Sequence, residues 1–249
     1  MPAAGTGDLH RPYERTVSME RDLRTDPESF ARQAGFQPHE FQSRFGASGL
    51  VRCGKAVGSG QITLAGDVIT TAAHVFFAPG GRLRNETCTF ELAHAPEAPI
   101  EIDMNSIVSG SLTPMEDRAT LDWAVARLSS KIEKIAPYAV AGAPALPSPV
   151  TMYGGGNGPA ARMGVEQCAV RRVTAVAPEG LREVAFDCSA AHGGSGAALL
   201  NDKGEMIGIF VGFRSTNAEA PMPFSDIHYN FAITVEGPFR RALLQAAGR

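Results

Sequence analysis

No apolar run in this 249-residue chain approaches the ~18 residues that a membrane-spanning helix requires, so no membrane span is expected. Nor is there a surplus of basic charge. Lys+Arg 23 against Asp+Glu 26 gives a formal net charge of -3, too few cations to neutralise a phosphate backbone, which argues against nucleic acid as a partner. The four cysteines, Cys53, Cys88, Cys168 and Cys188, form no CxxC pair and have no histidine at ligand spacing, so neither a metal site nor a cofactor is expected. The glycine-rich run from Gly154 to Gly158 lacks the Lys-Ser/Thr ending of a phosphate loop and is followed by Pro159, so it reads as a flexible hairpin tip. The opening stretch MPAAGTGDLHRPYERT lacks the charged-then-apolar pattern of an export signal. Either such a signal has been removed and the protein is secreted or periplasmic, or it stays in the cytoplasm.

What is present describes a globular chain: hydrophobic residues are 44% and charged residues 20%, with length for one large domain or two modest ones. Gly 27 and Pro 17 favour many short strands over a few long helices. Residues 1–45 mix acids and bases and carry few apolar side chains, so they read as an N-terminal arm or pro-segment. Within them Asp26-Pro27-Glu28 opens one short helix that Gly35 closes. Residues 46–140 supply short β-branched or alternating segments, among them GQITLAG, VITTAA and TCTFELA. Pro144, Pro147 and Pro149 interrupt any ladder and mark 141–149 as a linker. Residues 150–249 are strand-like again until EGPFRRALLQAA, a helix with Phe239, Leu243 and Leu244 on one face.

Three strings carry chemistry, and their order matters more than any one of them. VITTAAHVFF delivers His74 to the end of an apolar strand, LDWAVARL places Asp122 before an alternating strand, and CSAAHGGSGAALL sets Ser195 in a glycine-rich turn. Alone, each reads as a structural histidine, a turn aspartate and a tight loop. Together they suit acyl transfer: a serine hydroxyl needs a general base, imidazole fits that role, and a carboxylate behind the ring fixes its tautomer. The oxyanion of the tetrahedral intermediate needs uncrowded backbone N–H donors, for which the candidates are Gly193, Gly194 and Ser195. An α/β-hydrolase is excluded, because its elbow needs glycine where Ala197 stands and its histidine follows the serine.

TAAH, DWAVARL and GGSG, in that order, resemble the motifs of the chymotrypsin-like serine peptidases, in particular the bacterial branch with the V8-type glutamyl endopeptidases. The likeness runs from about Ser48 to the C-terminus. It implies an all-β fold of two six-stranded antiparallel barrels with a short C-terminal helix, His74 and Asp122 coming from the first barrel and Ser195 from the second. It also implies a polypeptide substrate, a serine endopeptidase activity, and disulfides Cys168–Cys188 and Cys53–Cys88, buried free thiols being the alternative.

Departures from the family pattern shape the expected pocket. Gly194 stands where many members keep an acid that pairs with a new N-terminus. Ala190 and Phe210 replace the hydroxyl residue and histidine of glutamyl-specific relatives, and Ser189 at the expected pocket base carries no charge for Lys or Arg. Along the wall, Val211, Gly212 and Phe213 follow, with Phe213 where a glycine commonly opens the cleft; His192 lies near enough to line it. Cleavage after small or medium apolar residues is expected, against the alternative of a silent fold used for binding. His94 and His228 read as surface residues.

Overall fold

The alternation visible in TCTFELA is the pattern that closes a barrel. In β5 (Cys88–Leu92) Cys88, Phe90 and Leu92 point inward while Thr89 and Glu91 stay half-exposed. The computed structural model describes residues 15–18, 21–94, 98–156, 162–217 and 219–249. The first closed barrel consists of β2 (Ser48–Cys53), β3 (Ala56–Ile62), β4 (Val68–Thr71), β5, β6 (Ile100–Ser109) and β7 (Ala124–Leu128), in the order β2-β3-β4-β7-β6-β5. The second contains β8 (Ser148–Gly156), β9 (Arg162–Val176), β10 (Arg182–Phe186), β11 (Ala198–Leu200), β12 (Met206–Arg214) and β14 (Tyr229–Thr234), ordered β10-β14-β12-β11-β8-β9. All pairings within both barrels are antiparallel. The expected hairpin tip at Gly154 to Gly158 lies partly outside the described residues.

Both disulfides form. Cys53 and Cys88 stand directly opposite each other on β2 and β5, and Cys168 of β9 bonds Cys188, which follows β10 on the way to Ser195. The second bridge therefore ties the approach to the serine loop to a barrel strand. Strand β8 begins at Ser148, so the last two residues of the proline-rich stretch are already sheet; Pro149 sits near the strand start, where a missing N–H is tolerated.

The described part of the first 45 residues, 15–18 and 21–45, is more integrated than an arm. Residues Thr16–Val17 form β1, paired with β13 (Met222–Pro223). Two helices follow instead of one. In α1 (Pro27–Ala34) the Asp26 carboxylate accepts the Ser29 N–H at 2.9 Å, and Gly35 ends the helix at φ 72°. In α2 (Pro38–Phe45) the Glu40 carboxylate reaches back to the Gln37 N–H at 2.7 Å. The few apolar residues of this stretch converge: Phe30, Phe41 and Phe45 are buried, and the rings of Phe41 and Phe45 meet Tyr153 of β8 edge-on at 5.8 and 5.6 Å. His94 stays exposed, as the sequence reading has it, with its ring stacked on Tyr153, whereas His228 is buried rather than at the surface. His94 hydrogen-bonds the Tyr153 hydroxyl at 2.5 Å, and partial desolvation of its ring lowers its pKa; His228 bonds Ser215 at 2.5 Å.

The last helix, α4 (Gly237–Ala246), crosses to the first barrel. Its buried Phe239 stacks on Trp123 with centroids 5.0 Å apart, directly beside Asp122. No helix among the described residues is long and apolar enough to cross a membrane.

Because Phe45 is fully buried, Phe45→Ala is expected to lower unfolding free energy by about 3–5 kcal/mol in a denaturant titration. A loss below ~1 kcal/mol would show that α2 is peripheral.

Candidate active site

Strand β4 ends at Thr71, and one short turn later α3 (Ala73–Phe76) presents His74. Asp122 closes a 3-10 turn, its N–H bonding the Ala119 carbonyl, immediately before Trp123 and β7. Both oxygens of this 4% exposed carboxylate are spent on one residue: Oδ1 accepts the backbone N–H of His74 at 2.9 Å and Oδ2 meets its ring Nδ1 at 2.6 Å. An ionised carboxylate can only accept, so Nδ1 carries the proton and Nε2 of the neutral ring is left as an acceptor. Arg84 donates to the His74 carbonyl at 2.8 Å and secures the other side of the turn.

Ser195 comes from the second barrel and is drawn against the first. Its carbonyl accepts the N–H of Ser59 in β3 at 2.7 Å, while the Gly196 N–H bonds the Phe210 carbonyl at 2.7 Å. Gly196 must be glycine twice over: its φ is 90°, and a Cβ there would lie 2.2 Å from the Ser59 carbonyl oxygen and 2.9 Å from the N of Ala72. That close approach sets the serine loop beside the segment that carries His74. His74, Asp122 and Ser195 accordingly line one cavity of about 460 Å³. No hydrogen bond joins the Ser195 hydroxyl to His74 among the described residues; catalytic hydrogen bonds of this kind are commonly completed only as substrate binds.

The donors for an oxyanion follow from one turn. The Gly194 N–H bonds the Ala191 carbonyl at 2.9 Å and Gly193 has φ 100°, the signature of a type II turn with glycine at its third position. Gly194 is thereby corrected as a candidate donor, because its N–H is consumed inside the turn. Among the described residues the N–H groups of Gly193 and Ser195 have no partner.

Residues 58–209, which contain His74, Asp122 and Ser195, match the family model of the trypsin-like peptidase domain. The chain belongs to the trypsin-like peptidase family. A search of curated proteins finds no match. Solved structures share the trypsin-like fold at low identity: a Glu endopeptidase in complex with MPD (TM-score 0.70, 13% identical, covering 94% of this chain and 100% of that one) and a thermostable serine protease from an extremophilic microorganism (0.61, 12%, 83% and 99%). Neuropsin, a serine protease expressed in the limbic system of mouse brain, aligns with TM-score 0.58 at 14% identity over 82% and 94%.

Within this trypsin-like frame, Ala190, His192, Phe210, Val211, Gly212 and Phe213 line the cavity. Ser189 does not. It is buried behind the wall, its N–H donating to Glu166 at 2.8 Å, so it cannot serve as the pocket base. Three charged rim residues escaped the sequence reading: Arg84, Asp117 and Arg214. Hydrogen bonds from the Ser111 and Thr113 hydroxyls hold the Asp117 carboxyl below its usual range. Arg214 pairs with Glu183 at 3.1 Å and lies over the Phe231 ring.

Ser59 was missed as well. Only 1% exposed, it donates from Oγ to the Gly193 carbonyl and accepts the Gly155 N–H, both at 2.8 Å. Its sole signal is a hydroxyl in a strand of small residues, AVGSGQI. Ser59→Ala would strand two buried polar groups, and we expect a fall of about 1–3 kcal/mol in stability with a drop in kcat, read by thermal unfolding and steady-state kinetics. Wild-type values for both would show that the hydroxyl has no bearing on the turn.

Proposed function

We propose that the protein is a serine endopeptidase in which His74, Asp122 and Ser195 act as one unit. The observation that carries this reading is His74 held through both oxygens of Asp122, at the wall of the cavity that Ser195 also lines. His74 Nε2 accepts the Ser195 proton as Oγ bonds to the scissile carbonyl carbon, and the oxyanion that forms takes the N–H groups of Gly193 and Ser195. The imidazolium then gives its proton to the departing amine, leaving an acyl-enzyme; water, deprotonated by the same nitrogen, releases the acid and restores the serine.

Substrate preference rests on the side chains of the pocket. Ala190, Phe210 and Phe231 give an apolar lining, to which Phe213, 36% exposed, adds a large ring. This favours a small or medium apolar residue before the cleaved bond and speaks against glutamate preference and against the V8-type branch in specificity. Two disulfides favour an exported location, secreted or periplasmic.

A fluorophosphonate probe is expected to label the wild type and spare Ser195→Ala, while Asp122→Asn stays folded and loses ~10⁴ in turnover through the wrong tautomer. Labelling that survives in Ser195→Ala would remove that serine from the reaction. A second expectation concerns the pocket: Phe213→Gly raises kcat/KM for peptides with large aromatic residues before the cleaved bond by roughly 10-fold relative to those with alanine, about the discrimination that shape in an apolar pocket provides. An unchanged cleavage profile from a peptide library would place Phe213 outside the specificity pocket.

A further inference from the structure

The wall that leads to the serine loop, Asp187–Ala191, is tethered from a part of the chain far away in sequence and outside the family match. Arg15 is the centre of this attachment. Its Nη2 donates to Glu166 Oε1 at 2.6 Å and to the Gln167 carbonyl at 3.0 Å, and its Nε donates to the Asp187 carbonyl at 3.3 Å while standing 3.7 Å from the buried Asp187 carboxylate. Glu166 passes the restraint on, since its other oxygen accepts the Ser189 N–H at 2.8 Å. Three residues later the Ser18 carbonyl accepts the Ala190 N–H at 2.8 Å. Strand β1 between them is itself clamped: Thr16 and Val17 pair with Pro223 and Met222, and the Arg15 carbonyl accepts the Phe224 N–H at 2.9 Å.

Among the described residues, none before His74 lines the cavity, so the segment braces the wall without filling the cleft. Ala190 and Ala191 do line it, and the Ala191 carbonyl closes the turn that presents Gly193.

We propose that Arg15 is a positioning residue, and that Arg15–Ser18 forms an internal strap that fixes the Asp187–Ala191 wall and, through it, the Gly193 turn. The proposal rests on the peptidase reading for its catalytic consequence, though not for the ordering it describes. Burial pushes the Glu166 carboxyl up to about 7 and Arg15 opposes that shift, which agrees with a guanidinium placed to keep this tether charged. A lysine could pair with Glu166 but could not also reach Asp187 and Gln167 with a rigid fork of donors.

The test compares Arg15→Ala and Arg15→Lys with Arg182→Ala, which breaks an ion pair to Glu236 in the same barrel without touching the wall. In the strapped protein, amide hydrogen exchange at Ser189 and Ala190 is slow; it should accelerate at least ~10-fold in Arg15→Ala, to an intermediate degree in Arg15→Lys, and not at all in Arg182→Ala. The kcat/KM for a peptide substrate should fall about 10- to 100-fold in Arg15→Ala, mainly through kcat, and recover in part in Arg15→Lys. Should Arg15→Ala fail to fold, Arg15→Lys carries the same comparison. Wild-type exchange at both amides in the Arg15 variants overturns the strap whatever the activity, and kinetics that track only the folded fraction, as in Arg182→Ala, overturn the positioning role. A wild type that neither labels nor hydrolyses overturns the peptidase reading instead, because exchange still decides on the strap.

Discussion

The arrangement depends on how tightly the serine loop of one barrel can lie on the other. A hydroxyl in the second barrel and an imidazole in the first can share a cavity only if the backbone between them has no side chain in the way. Gly196 meets that condition, and Ser59 converts the contact into directed hydrogen bonds on both sides of the loop. Buried hydrogen bonds of this kind add little net energy each but are costly to leave unmade, so the seam has one satisfied register and strongly disfavours its neighbours. Positions of the donors and the base follow from that register.

Electrostatics are then distributed by depth. Asp122 is almost fully enclosed, and both of its oxygens are met by N–H groups of a single residue, so a buried polar group is fully partnered. Farther back, Asp187 is shared between Arg171 and Arg15 and holds the Ala169 N–H, so the frame of the wall is ionic where its face is apolar. Charged residues reappear at the rim, with Arg84, Asp117 and Arg214, where water screens them. A peptide entering the cleft meets polarity first and an apolar floor second.

How much of this the sequence disclosed depended on range. TAAH, LDWAVARL and HGGSG are local strings whose chemistry is readable from neighbours; turn signals and strand alternation disclosed two strand-rich halves, and their closure into two barrels came with the family resemblance those strings carry. The disulfides came with the resemblance, not from spacing. What stayed hidden was non-local. Ser59 looks like any small polar strand residue until the other barrel arrives, and Arg15 sits in a stretch whose even mix of charges suggests solvent. Phe30, Phe36, Phe41 and Phe45 are too widely spaced to form one helical stripe and converge only after two helices fold back on each other. Ser189 and Gly194 were misread because their backbone N–H groups, not their side-chain types, determine what they do.

The two ends of the polypeptide are exchanged between the halves. The segment before the first barrel braces the second barrel, where the buried Arg24 donates to the carbonyls of Gly154 and Gly155, while α4, which follows the second barrel, covers Trp123 on the first. Neither half owns its complete shell. During synthesis the indole beside Asp122 therefore waits for the ten residues of α4 before its face is closed, and severing the chain between the barrels would leave each fragment missing the piece that the other fragment carries.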